Sequence, residues 1–263
     1  MFKRKRLIIA VAILAVLAVT LANFIRGKYV IPVLMYHSIN PGAQKDNRLS
    51  ITPETFKRQM RFLKDRHYNV ITLEEAAAII KSKKRPPART LAITFDDGYK
   101  DNYTYAFAVL KEYDFPATLF IIVNEVGRPQ GDRLSWDDVK AMRASGIFTI
   151  GSHTLNHPYL TELTSRDDII KEVRVSKEIL EEKLGARVDA FSYPAGRFNE
   201  EIRQIVIESG YKFAVATNPG KRIPDDDAFA VKRLRISRNC ANLFIFWVET
   251  SGYYNFMREH RSK

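Results

Sequence analysis

The chain has 263 residues, enough for one large domain or two small ones with a substantial core. Hydrophobic residues make up 46% and aromatic residues 11%, a composition that excludes a disordered chain. The formal net charge of +12 suits an anionic partner. No basic run interleaved with aromatic residues stands out, so nucleic acid is not an expected partner.

The N-terminus combines a basic cluster, Lys3–Arg6, with an apolar run over Leu7–Ile25. The nineteen residues of that run, if helical, span about 28 Å, close to the hydrocarbon core of a bilayer. We therefore expect residues 1–28 to form a basic cytoplasmic flank and a single transmembrane helix. The basic flank stays inside, which places the following domain outside the cell, anchored to the membrane. The alternative is a secreted protein, released by cleavage of a signal peptide near Ala22.

After the N-terminal segment, short apolar runs alternate with amphipathic stretches that carry helix caps. The predicted strands are Val30–Tyr36, Tyr68–Ile71, Leu91–Phe95, Ala117–Val123, Ile147–Ile150, Ala190–Tyr193, Tyr211–Ala216 and Val231–Ile236. The predicted helices begin at Thr52-Pro53, at the capping box of Thr72 and Glu75, near Asn102, at Ser135, at Ser165 and at Glu200.

Strands that alternate with helices predict right-handed βαβ units and a parallel sheet. About seven or eight such units favour a closed, irregular (β/α)7-8 barrel, with a doubly wound open sheet as the alternative. The carboxyl ends of barrel strands converge on one face, where active sites are built. Several polar residues lie at or just beyond such ends, namely His37, Asp96, Asp97, His153 and Ser192.

Two adjacent carboxylates, Asp96 and Asp97, end one predicted strand and are followed by Gly98. Neighbouring side chains at a strand end point in opposite directions, so the two carboxylates can take different tasks. One can bind a metal while the other faces a water. Alone, paired acids before a glycine usually form a turn or a helix cap.

Two histidines, His153 and His157, stand four residues apart. This spacing lets both rings reach one ion if the segment turns helically before Pro158. Two imidazoles and one carboxylate can hold a divalent metal with an open position, and a second carboxylate can act on a metal-bound water. The combination predicts a metal-dependent hydrolase.

The chain resembles the polysaccharide deacetylases with a NodB-homology domain, carbohydrate esterase family 4. The resemblance covers most of residues 30–240 and lies in the segments Thr94–Gly98, His153–Pro158, Leu134–Trp136 and Tyr193–Gly196. It implies that residues 29–263 form an irregular β/α barrel that removes acetyl groups from sugar polymers. The expected reaction releases acetate from the N-acetyl groups of an N-acetylglucosamine-containing polysaccharide, either peptidoglycan or an exopolysaccharide.

The resemblance also implies roles for individual residues. Asp96 corresponds to the general base, and the backbone N–H of Ala195 to a donor that stabilises the oxyanion. The implied ligands of a divalent metal are Asp97, His153 and His157. The ion is usually Zn²⁺, with Co²⁺ or another divalent ion as the alternative.

Two features of the family are missing. Ser192 lies in the region where many members carry an arginine that holds the catalytic aspartate, and no leucine-histidine motif follows residue 236. Arg233 or Arg235, on one face of a late strand, could steady Asp96 instead, although either could be a solvated or phosphate-facing charge.

The segment Val33–Ser38 is similar to a subgroup that includes poly-N-acetylglucosamine deacetylases of biofilms. In that arrangement His37 supplies the general acid, and the alternative is a buried structural histidine. The missing features motivate one competing function, a non-catalytic barrel that binds cell-wall polysaccharide. An O-acetyl esterase of the same fold is a further alternative.

Overall fold

The structure is a computed structural model that describes residues 2–43, 49–129, 131–217, 227–254 and 257, with side chains from residue 11 onward. The helices are α1 (Phe2–Arg26), α2 (Pro53–Asp65), α3 (Leu73–Ser82), α4 (Phe107–Tyr113), α5 (Trp136–Ala144), α6 (Arg166–Ile170), α7 (Ser176–Leu184), α8 (Glu200–Glu208) and α9 (Leu243–Thr250). The strands are β1 (Val33–Tyr36), β2 (Ser38–Ile39), β3 (Ser50–Ile51), β4 (Asn69–Ile71), β5 (Thr90–Phe95), β6 (Ala117–Ile121), β7 (Phe148–Ser152), β8 (Ala190–Ser192), β9 (Phe213–Thr217) and β10 (Val231–Arg235).

Seven parallel strands close into a barrel. They pair in the order β1, β5, β6, β7, β8, β9 and β10, and β10 pairs with β1 to complete the ring. Strand β4 is additional to the ring and pairs with the first half of β5, where Asn69 lies opposite Thr90. The closed ring confirms the predicted β/α barrel and excludes the open sheet.

Alternate residues of the strands fill the barrel in two layers. The first layer is apolar and includes Val33, Ala92, Phe120, Ala190, Val215 and Val231, which pack in one cluster. Two residues further along three of these strands, the buried side chains are Thr94, Ser192 and Arg233. Because side chains alternate across a strand, these polar groups follow the apolar layer on the same face. The polar layer therefore lies toward the carboxyl ends of the strands.

Helix caps form where the sequence predicts them. Thr52 accepts a hydrogen bond from the N–H of Thr55, and Thr72 forms a capping box with Glu75. Two predicted helices are less regular than expected, since π-helical turns occupy Asn102–Ala106 and Lys171–Val175. The sequence pattern carries no signal for them, because one widened turn barely changes the apolar period.

The apolar N-terminal segment lies in α1, and its large apolar side chains are exposed from Val11 to Ile25. Among the residues whose side chains are described, no helix is both long enough and apolar enough to cross a membrane. The side chains of residues 7–10, which begin the transmembrane helix predicted over Leu7–Ile25, lie outside this part of the chain. The side chains of Lys3–Arg6 lie outside the described part.

Candidate active site

A buried ion pair joins Asp96, just beyond β5, to Arg233 on β10. The guanidinium donates two hydrogen bonds of 2.6 Å, one to each carboxylate oxygen, in a bidentate arrangement. It also donates to the hydroxyls of Thr94 at 3.2 Å and Ser192 at 2.9 Å. Burial alone would raise the pKa of Asp96, but the charge of Arg233 outweighs it and holds this pKa well below its ordinary value. Asp96 is therefore ionised at neutral pH.

The structure distinguishes the two arginines that the sequence offered. Arg233 is 1% exposed and reaches Asp96, whereas Arg235 lies two residues further along β10 and is exposed. The charge of Arg235 helps to lower the pKa of His37, so this guanidinium influences His37. Arg233 is thus the arginine that contacts the carboxylate, and Arg235 is not.

A second cluster contains Asp97, His153 and His157, whose ligand atoms all lie within 4.8 Å of one another. The Nε2 atom of His153 is 3.6 Å from Oδ1 of Asp97, and that of His157 is 3.9 Å from the same oxygen. Nε2 of His153 is also 3.7 Å from Oδ2 of Asp96. Both carboxylates thus approach one imidazole.

Local backbone geometry brings the two carboxylates together, against the expectation that they point in opposite directions. Asp97 has a φ of 71° and Gly98 one of 68°, so the chain leaves the extended conformation directly after Asp96. The alternation of a strand therefore no longer applies at Asp97.

The expectation of a helical turn between the two histidines is wrong. Residues 153–158 form an irregular loop in which Thr154 has a φ of 69° and His157 one of 59°. The N–H of His157 donates to the hydroxyl of Thr154 at 2.9 Å, which closes the loop without a helix. The rings still meet, with their centroids 4.6 Å apart.

The protonation states suit metal binding. Burial lowers the pKa of His153 to about 3, against the opposing charge of Asp96, and burial also lowers the pKa of His157. Both imidazoles are therefore neutral at neutral pH, the form that coordinates a metal. Burial and then the charge of Asp96 raise the pKa of Asp97 to about 7, against the opposing charges of Arg133 and Arg233.

These residues fit a divalent ion. Nδ1 of His153 lies 2.8 Å from the carbonyl oxygen of Ser192. A carbonyl only accepts, so Nδ1 carries the proton and Nε2 is left free as a ligand. Two imidazole nitrogens and a carboxylate oxygen are a donor set that zinc accepts.

His37 lies just beyond β1 and is buried, with its Nδ1 atom lacking a hydrogen-bond partner among the described residues. Burial lowers its pKa to about 4, although the charge of Asp96 opposes this, and Arg233, Arg235 and His157 lower it further. The charges of both parts of the site thus act on the ring.

Ala195 is exposed in the turn after β8 and has a φ of 53°. The turn is closed by the N–H groups of Gly196 and Arg197, which donate to the carbonyls of Tyr193 and Pro194. These closing bonds do not use the N–H of Ala195.

Three supporting residues were not predicted from the sequence. Thr94 could have been, since it shares a strand face with Asp96. Asn102 donates to the carbonyl of His37 at 2.7 Å, and Glu172 accepts hydrogen bonds from the histidine loop. The last two come from π-helical turns, and no local pattern connects them to the site.

Comparison with known proteins agrees with this geometry. A family model described as polysaccharide deacetylase matches residues 83–214. YxkH of Bacillus subtilis (strain 168) is 36% identical over 207 residues, which cover 79% of this chain and 71% of that protein. The poly-beta-1,6-N-acetyl-D-glucosamine N-deacetylase of Staphylococcus epidermidis is 27% identical over 233 residues, covering 85% of this chain and 80% of that protein. Among solved structures, the Streptococcus pyogenes deacetylase PplD, in complex with acetate, has a TM-score of 0.72 and 31% identity, covering 80% of this chain and 93% of that one.

A closed parallel barrel with acids and imidazoles gathered at its carboxyl end is the architecture of a β/α-barrel enzyme. The matches in sequence and in structure identify the family within this class of enzymes. The chain belongs to the polysaccharide deacetylase family, as its motifs indicated, and it is an enzyme of that family.

Proposed function

We propose that this enzyme uses a divalent metal, most simply Zn²⁺, to hydrolyse N-acetyl groups on a polysaccharide that contains N-acetylglucosamine, with release of acetate. The observation that carries the proposal is the cluster of Asp97, His153 and His157 beside the buried pair of Asp96 and Arg233. The Staphylococcus epidermidis relative, named for its action on poly-beta-1,6-N-acetyl-D-glucosamine, supports a substrate of this class.

The metal would be held by Asp97, His153 and His157. When bound, such an ion supplies Lewis acidity that polarises the acetyl carbonyl and makes a water more acidic. The neutral imidazoles and the hydrogen bond from His153 to the carbonyl of Ser192 favour this ligand set.

Asp96 is the proposed general base. It accepts the proton of the attacking water, and the acetyl carbon becomes tetrahedral. Arg233 keeps the carboxylate ionised and fixes both of its oxygens, so the base is oriented before the substrate arrives. The N–H of Ala195 is the proposed donor to the oxyanion.

His37 is the proposed general acid. Its ring is neutral at neutral pH, because burial lowers its pKa to about 4, so the proton that it donates must reach it during the reaction. We propose that His37 takes up a proton from solvent as negative charge develops in the site and passes it to the departing amine, and that Asp96 afterwards releases to solvent the proton that it accepted from water. The C–N bond then breaks, the sugar keeps a free amine, and acetate leaves. Arg235, whose charge lowers the pKa of His37, would help to return the ring to its neutral form.

Acetate release by the purified protein tests this function. The protein is stripped of metal, given Zn²⁺ or Co²⁺, and supplied with β-1,6-linked N-acetylglucosamine oligomers, peptidoglycan or O-acetylated xylan. We expect metal-dependent release from an N-acetylated substrate and its loss in Asp96→Asn. Asp137→Asn, an exposed change of the same kind on α5, is the matched control.

The substrate panel also separates the competing functions. Release only from acetylated xylan would favour an O-acetyl esterase. Tight metal binding without release from any substrate would favour a barrel that binds polysaccharide without turnover. Release from the oligomers but not from peptidoglycan would favour an exopolysaccharide over the cell wall.

The cellular location is a separate proposal. The basic cluster Lys3–Arg6 and the apolar run after it support delivery of residues 29–263 to the outside of the cell. The domain would be held at the membrane or released after cleavage near Ala22. Fractionation of cells that carry a C-terminally tagged chain distinguishes the two, and a cytoplasmic protein of full length would contradict both.

A further inference from the structure

The histidine loop, residues 153–158, contains two residues with an unfavourable backbone conformation. Thr154 and His157 adopt left-handed φ values of 69° and 59°, although neither is glycine. Residues with side chains populate this region only when their surroundings impose it. Hydrogen bonds within the loop and from neighbouring elements must therefore hold it in shape.

The N–H groups of Val123 and Asn124 donate to the carbonyls of Thr154 and Leu155, and the carboxylate of Glu172 holds the N–H side of the same segment. Its Oε2 atom accepts hydrogen bonds of 3.0 Å from the backbone N–H groups of Leu155 and Asn156. Its Oε1 atom accepts a bond of 2.6 Å from the side-chain amide of Asn156. One side chain thus satisfies three donors in the segment that lies between His153 and His157.

Glu172 comes from an element that is rigid but locally irregular. It lies in the π-helical turn Lys171–Val175, between α6 and α7, and single π turns inside helices often occur at functional sites. The same helix is joined to β7 through the hydroxyls of Ser152 and Ser176, which are 2.7 Å apart. The carboxylate is therefore presented from a fixed support and not from a loop.

We propose that Glu172 is a positioning residue that holds the histidine loop in its metal-binding shape before the metal arrives. Without it, the strained residues of the loop could relax, and His157 would no longer lie within reach of the ion that Asp97 and His153 hold. This inference rests on the metal site of the proposed function and adds to it a residue that does not touch the metal.

Metal affinity and hydrogen exchange of the full chain test the proposal. We expect Glu172→Ala to bind Co²⁺ at least about tenfold more weakly, as is usual when a group that supports a metal ligand is removed. We also expect an altered visible spectrum of the bound Co²⁺, because the second histidine is misplaced. Glu172→Gln keeps an oxygen for the two backbone donors but places an amide next to the amide of Asn156. Its loss of Co²⁺ affinity should therefore be smaller than that of Glu172→Ala.

Hydrogen exchange of the metal-free protein distinguishes two roles for Glu172. It either holds the whole histidine loop or only satisfies the N–H groups that it contacts. In Glu172→Ala the N–H of His157 should exchange faster, although it is bonded to Thr154 and not to Glu172. Glu178→Ala, an exposed change on the same helix, is the control and should match the wild type. Unchanged Co²⁺ affinity in Glu172→Ala, or an equal loss in Glu178→Ala, would overturn the proposal.

The outcomes distinguish this inference from the proposed function. Wild-type affinity in Glu172→Ala would overturn the positioning role while deacetylase activity stands. Weakened affinity in that variant, in a protein that deacetylates no substrate, would support the role while the proposed function fails. A wild-type protein that binds no divalent ion would overturn the metal site and this inference together.

Discussion

Arg233 supplies, from the last strand of the barrel, the contact to Asp96 that many family members make with an arginine near β8. Arg233→Met should leave a buried carboxylate without its partner, which costs about 3–5 kcal/mol of stability. Burial should then raise the pKa of Asp96, so that a larger fraction of this carboxylate is protonated and unable to act as a base. We expect kcat/KM to fall by about two orders of magnitude or more.

The pH dependence of kcat/KM and thermal unfolding measure these effects. The acid limb of the profile should move upward in Arg233→Met, because the base now titrates in the accessible range. Arg235→Met removes the same charge two residues away and should change both quantities less. Equal losses in the two variants would mean that charge alone, and not the bidentate contact, supports Asp96.

His37 can be tested through the leaving group. If it protonates the departing amine, His37→Gln should lower kcat on an N-acetylated oligomer by about 10²–10⁴-fold. An activated acetyl ester, whose leaving group needs no proton, should be affected much less. A similar loss on both substrates would instead assign His37 to the attack of water.

Asp97 links metal affinity to pH. Its pKa of about 7 means that the carboxyl is mostly ionised at pH 8 and mostly protonated at pH 6 in the metal-free protein. Burial lowers the pKa values of both histidines, so their protonation contributes less to this pH dependence than that of Asp97. A metal must therefore displace a proton from Asp97 at pH 6, and its affinity should be about tenfold weaker there. Calorimetric titration with Zn²⁺ at the two pH values measures this, and an unchanged affinity would contradict the assignment.

Gly151 and Phe120 pack closely together inside the barrel, near the ion pair of Arg233 and Asp96. Gly151 on β7 leaves room for the ring of Phe120, since a Cβ there would lie 2.5 Å from two of its ring atoms. The Arg233 guanidinium lies 5.4 Å from the centroid of the same ring. Gly151→Ala should therefore cost about 1–3 kcal/mol of stability through overpacking.

Urea unfolding of Gly151→Ala measures this cost. Gly146→Ala is an instructive control, because a Cβ there meets nothing within 4 Å, although its φ of 75° adds some strain. If Gly151→Ala is as stable as the wild type, the interior of the barrel is less tightly packed than described.

At the scale of elements, the sequence predicts those features whose signals are local. The capping boxes that begin with Thr72 and Ser135 were predicted, because each lies within four consecutive residues. Strands β2 and β3 were not, since two residues are too few to show a period. The histidine loop was predicted as a helical turn because its actual shape involves contacts with Val123, Asn124 and Glu172, which lie outside the local pattern.

At the scale of the molecule, alternation of strands and helices was enough to predict the barrel and to bring the polar strand ends together. It did not decide between Arg233 and Arg235, which share a strand face. That choice depends on how far along the barrel each residue lies, and this is fixed by the pairing of β10 with β1 and β9. Asp96 and the clustered residues Asp97, His153 and His157 could be named in advance because their motifs are contiguous.

The central claim is that one divalent ion, held by Asp97, His153 and His157, works with Asp96 on an acetyl group. The most direct test is acetate release from N-acetylglucosamine oligomers by metal-free protein as Zn²⁺ is added stepwise. We predict that activity rises from background, reaches a plateau at about one equivalent per chain, and stays at background in His157→Ala. Full activity of the metal-free protein, or a wild-type response in His157→Ala, would contradict the account.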